Sequence, residues 1–88
     1  MPRISEFFGI AIYMYWLDIK HHRRPHFHAL NAGKMAAFDL EGNLLAGSLG
    51  KRADKLVKEW ANERGLELAE AWTLAAEGKE VPWIKPIS

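Results

Sequence analysis

The 88-residue chain contains no cysteine. That absence removes disulfides, thiolate zinc sites, redox motifs and a cysteine nucleophile together, and it fits a reducing compartment. Any metal site would have to be built from His, Asp or Glu. Long apolar runs are also missing: the most hydrophobic stretch, Phe7 to Leu17, is about eleven residues and too short to span a bilayer. No small-residue cleavage site follows a basic start, so an unexported, cytoplasmic protein without a membrane partner is expected. There is no Walker loop, GxGxxG, HExxH or nucleophile elbow, which takes the main support from nucleotide-driven and serine-hydrolase chemistry. An excess of one charge is lacking too, since the formal net charge is +1.

Against these absences, 49% of residues are apolar and four are Trp. This is the composition of a packed globular domain and excludes disorder as the main state. A chain this short supports one core, so residues 1–88 are expected to form a single domain. The small net charge conceals an uneven distribution: residues 1–34 carry a formal +3 and all four His, whereas residues 35–88 carry −2. The positive charge is concentrated in Lys20–His28 (KHHRRPHFH), where seven of nine residues are Lys, Arg or His.

Residues 9–17, rich in β-branched and aromatic side chains, predict a strand. Pro25 lacks a backbone donor and pushes Arg24 toward an extended conformation, so the basic segment reads as a loop leading into a second strand from His26 to about Leu30. Asn31-Ala32-Gly33-Lys34 supplies a hairpin turn, Met35–Leu40 the return strand, Glu41-Gly42-Asn43 a further turn, and Leu44–Leu49 a short fourth strand. The period then changes. Leu49, Ala53, Leu56, Val57, Trp60 and Ala61 recur at three- and four-residue spacings, predicting a helix over about 50–64. Gly65 is placed to end it in a left-handed cap. A second helix follows over 66–77, with Leu68, Ala71, Trp72, Ala75 and Ala76 on its apolar side and Gly78 as its cap. Two prolines keep the tail, 79–88, extended. The expected fold class is α+β: a three- to four-stranded antiparallel β-meander followed by two helices packed on one face.

His26 and His28 flank Phe27 on a strand, so both imidazoles face the same way, about 6.5–7 Å apart at Cα. Three readings stay open. Such a pair, adjoining Arg23 and Arg24, holds the groups that RNA cleavage by the neighbouring 2′-hydroxyl requires: a base, an acid, and cations for the transition state. Alternatively the segment binds without reacting, Lys20, His21 and His22 pairing with phosphates, Phe27 stacking on bases, and Lys51 and Arg52 extending the basic surface. An acidic partner protein would suit the same cations. The third reading is a His/carboxylate metal site completed by His21, His22, Asp18, Asp39 or Glu41, although no spacing in the sequence brings these ligands together. For each residue the bland alternative is a solvated surface group, and for Trp60 and Trp72 a place in the core.

Pro2-Arg3-Ile4-Ser5-Glu6-Phe7-Phe8-Gly9-Ile10, Met14-Tyr15, Pro25-His26-Phe27-His28, and helices bearing Glu59-Trp60 and Ala71-Trp72 before Gly78-Lys79 together resemble the small bacterial family known as domain of unknown function 4160. The resemblance covers essentially the whole chain. It implies a setting like that of toxin–antitoxin pairs, with this chain on the toxin side and a small antitoxin-like protein as partner, and it carries no catalytic mechanism. Members usually have two prolines before the first His, and Arg24 stands in place of the first. They also carry an acidic residue after the hairpin glycine, where Lys34-Met35-Ala36 stands here. The leading expectation is a metal-independent, ribonuclease-like protein with no cofactor. Its catalytic candidates are His26, His28, Arg23 and Arg24, and its nucleic-acid-binding candidates are Lys20, His21, His22, Phe27, Lys51 and Arg52. RNA, the antitoxin-like protein and a second copy in a homodimer are the expected partners.

Overall fold

The computed structural model describes residues 3–14 and 24–87. Among these, five strands precede two helices: β1 Arg3–Phe7, β2 Ile10–Tyr13, β3 His26–Asn31, β4 Lys34–Asp39, β5 Leu44–Gly47, α1 Lys51–Glu63 and α2 Gly65–Ala76. The strands form one antiparallel sheet in chain order. The α+β layout is as expected, with one strand more than the sequence implied.

The additional strand is β1. Its Arg-Ile-Ser-Glu-Phe run reads as a polar start, but it pairs with β2 through a two-residue turn at Phe8-Gly9, Phe7 lying opposite Ile10. Both turn residues have positive φ, 50° and 78°. That is the type I′ geometry that matches strand twist, and it normally selects Asn or Asp first. A phenylalanine there costs about 1 kcal/mol of backbone strain and hides the turn from the sequence. Ala32-Gly33 between β3 and β4 has the same geometry, at 50° and 80°.

Alternation divides the sheet into two faces. Ile4, Ile10, Ile12, Met14, Phe27, Ala29, Ala36 and Phe38 are buried together with Val57, Trp60, Ala61, Leu68, Ala71 and Ala75, so both helices cover one face. At its centre the Phe27 ring lies 5.6 Å from Phe38 and 5.6 Å from Trp60. The apolar stripe foreseen on α1 is buried or half-buried throughout. On α2, Ala76 is exposed and Trp72 half-buried.

Gly65 begins α2 instead of capping α1; the break falls at Arg64, with φ −110°. Gly78 does end α2 in a left-handed conformation, φ 72°, while the Lys79 amide donates back to Leu74 O. Gly42 has a different role. A Cβ there would lie 2.6 Å from Lys58 Cα, so the β4–β5 turn can lie against α1 only as glycine.

The tail is extended and built into the core. Ile84 is buried and its amide donates to Ile4 O at 2.7 Å, which covers the outer edge of β1. Trp60 Nε1–H donates to Lys85 O at 2.9 Å, and Arg64 donates to Lys85 O and Pro86 O. No helix among the described residues is long and apolar enough to cross a membrane.

Candidate functional site at the His26 end of the sheet

Because the β3–β4 turn is two residues long, the register follows by counting from it: Asn31 lies opposite Lys34, His28 opposite Ala37 and His26 opposite Asp39. On the other side of β3, Tyr13 lies opposite His28, and beyond β4, Ala46 lies opposite Ala37. Tyr13, His28, Ala37 and Ala46 therefore form a row across the face the helices leave uncovered. Arg3 extends it, donating to Tyr13 Oη at 3.2 Å and pairing with Glu6.

His26 and His28 meet as their spacing implied, with ring centroids 5.3 Å apart and planes at 81°. His26 is buried and His28 half-buried. His26 Nδ1 lies 2.9 Å from Arg24 O. A carbonyl can only accept, so Nδ1 carries the proton, and Nε2 is the nitrogen that exchanges a proton in the neutral ring. The His26 ring also touches Trp72 of α2 at 5.3 Å, which makes that tryptophan part of the site as well as of the core.

Arg24, His26 and His28 line a cavity of about 380 Å³ whose remaining wall is Ala37, Leu45 and Ala46. Arg24 is exposed and lies 3.7 Å from the nearly buried Asp39 carboxylate. Burial alone would raise the Asp39 pKa. It is outweighed by hydrogen bonds from the Asn43 amide and side chain and the Glu41 amide, with the Arg24 charge, and the pKa is lowered. Asp39 thus stays ionised, ties the β4–β5 turn, and holds Arg24 at the rim.

The other sequence candidates separate. Phe27 is fully buried, so its ring is a core element and not a platform for bases, because alternation turns it away from its neighbouring histidines. Lys51 and Arg52 line a cavity with Phe8 and Asn31 at the opposite end of the sheet, about 17 Å along β3 from His26. Lys20, His21, His22 and Arg23 lie outside the described residues, as does Asp18. They join Met14 to Arg24 in the chain. Among the described residues no group of three His, Cys, Asp or Glu side chains is placed to hold a metal ion.

Sequence reasoning assigned no role at the site to Trp72, Ala37, Leu45 or Ala46. The short turn at Ala32-Gly33 carried the signal for Ala37 and for Asp39 opposite His26. The apolar spacing of α2 assigned Trp72 to the core, and its approach to His26 depends on how α2 docks.

The fold defines a small α+β protein with a five-stranded meander and two helices on one face. The chain belongs to the family described as Domain of unknown function (DUF4160), which it matches over residues 9–73. That span runs from the first hairpin turn into α2 and includes both histidines. No curated protein matches the chain, and no solved structure matches it.

Proposed function

We propose that this chain works as one domain on the toxin side of a bacterial toxin–antitoxin pair, and that it cleaves RNA in the His26–His28 cavity. The observation that supports this reading is the pair of imidazoles 5.3 Å apart in one cavity with the Arg24 guanidinium. In this reading His26 Nε2 takes the proton of the 2′-hydroxyl, whose oxygen attacks the adjacent phosphorus. The bond from phosphorus to the 5′-oxygen breaks, and protonated His28 supplies the proton to the leaving oxygen. Arg24 offsets the negative charge of the phosphorane. The products are a 2′,3′-cyclic phosphate and a 5′-hydroxyl, and the step needs no cofactor. Arg23, adjoining Arg24 in sequence, would share in holding the reacting phosphate, and Lys20, His21 and His22 would hold flanking ones.

Inducible expression in a bacterium tests this. Growth arrest and RNA ends bearing 2′,3′-cyclic phosphate are expected. His26→Gln and His28→Ala, each checked for folding by circular dichroism, should lose about 10²–10⁴-fold in cleavage rate. Undiminished cleavage by the folded variants would end the catalytic reading.

A non-catalytic reading has one observation in its favour. Asp39 partly offsets the charge of Arg24, and the cavity continues into apolar Ala37, Leu45 and Ala46, a surface suited to a protein. It predicts binding of the antitoxin-like partner through this face with no RNA turnover. Growth arrest without RNA loss would favour it.

A further inference from the structure

A second cavity, of about 500 Å³, lies at the opposite end of the sheet, where both type I′ turns and the start of α1 come together. Ile10, Leu49 and Leu56 give it an apolar floor, and Phe8, Asn31, Lys51 and Arg52 are among its other walls. Phe8 is held in a left-handed conformation and is 67% exposed. Backbone strain and ring exposure both work against stability, so folding gains little from a phenylalanine there. Its ring is instead a flat wall beside two cations. Neither Lys51 nor Arg52 makes an ion pair among the described residues. The nearby Asp54 is engaged with the loop, accepting from Ser48 Oγ at 2.6 Å and the Leu49 amide at 2.8 Å.

We propose that this cavity binds a nucleoside 5′-monophosphate group, its phosphate on Lys51 and Arg52 and its base against Phe8. The guanidinium fork and the ammonium suit a doubly charged phosphate. An exposed aromatic ring suits any nucleobase, because every base offers a flat face for stacking. The Asn31 amide, donor and acceptor together, suits a purine edge. The volume lies within the range of small-molecule sites, about 300–1,000 Å³. The proposal rests on neither the histidines nor a reaction, so it stands or falls apart from RNA cleavage.

Titration of the full chain, ¹⁵N-labelled, with adenosine 5′-monophosphate tests it by NMR. Saturable shifts centred on Phe8, Asn31, Lys51 and Arg52 are expected, with inorganic phosphate or adenosine alone binding at least about tenfold more weakly. Lys51→Ala with Arg52→Ala should weaken binding about tenfold or more. Phe8→Asn is the decisive variant. It relieves the left-handed strain and should raise the melting temperature, yet lower affinity about tenfold by removing the stacking face. A 5′-phosphorylated oligonucleotide that binds more tightly than the mononucleotide would assign the same chemistry to the end of a strand; equal or weaker binding would assign it to the free nucleotide. Absence of saturable shifts at these residues, phosphate binding as tightly as the nucleotide, or undiminished affinity in Phe8→Asn would each overturn the proposal.

Discussion

Asp39 shows how one side chain can serve both stability and the site. Its carboxylate accepts from two backbone amides and the Asn43 side chain while facing Arg24. Its folded pKa is depressed, so its contribution is fully present above the unfolded value, about 3.9, and is lost as pH falls through the folded value. Asp39→Asn should therefore cost about 1–3 kcal/mol near neutrality, and the gap to the parent should shrink below about pH 4. Urea unfolding at several pH values measures this; a pH-independent gap would mean that the charge is not what matters. Ser5 is the opposite case, a fully buried hydroxyl with no hydrogen-bond partner among the described residues. Residue types and local spacing made His26, His28 and Arg24 visible in the sequence. Alternation sets Phe27 on the face opposite the two histidines, and the helices docked there make that face the core.

Among the elements, β1 and the tail depend on each other. The family match begins at residue 9 and ends at residue 73, so both β1 and the tail lie outside it, and they meet through the Ile84–Ile4 hydrogen bond. The tail also accepts the Trp60 indole N–H and two donors from Arg64. Removing residues 81–88 should uncover Ile4 and leave the buried indole N–H unsatisfied. A loss of about 3–5 kcal/mol is expected, enough to leave so small a protein largely unfolded at 37 °C. Thermal unfolding followed by circular dichroism checks this. A truncated chain as stable as the parent would show that the tail only decorates the sheet. The helices were legible from their 3.6 period, and the β3–β4 hairpin from its turn residues. The β1–β2 hairpin was not, since Phe8 occupies a position where the usual turn chemistry calls for Asn or Asp.

Over the whole molecule, charge and topology set the size of any contact. A formal net charge of +1 argues for a local contact over a wide electrostatic footprint. The antiparallel meander places Arg24 and His26 at one end of the sheet and Lys51 and Arg52 at the other. On the proposed RNA-cleaving function, binding of single-stranded RNA should engage about two or three phosphates, giving a slope of log K against log salt of about −1.5 to −2. Fluorescence anisotropy of a labelled oligonucleotide across salt concentrations measures it. A slope several times steeper would point to a broad basic surface.

By itself the sequence determined the α+β class, the two amphipathic helices, the hairpin turn and the side-by-side placement of two histidines, because each follows from local periodicity or turn chemistry. Only the tertiary structure decided that Phe27 belongs to the core, that Trp72 and Asp39 join His26, and that Lys51 and Arg52 face a different cavity. Those relations depend on strand register, on the docking of helices against the sheet and on a strained turn, which bring together residues far apart in the chain.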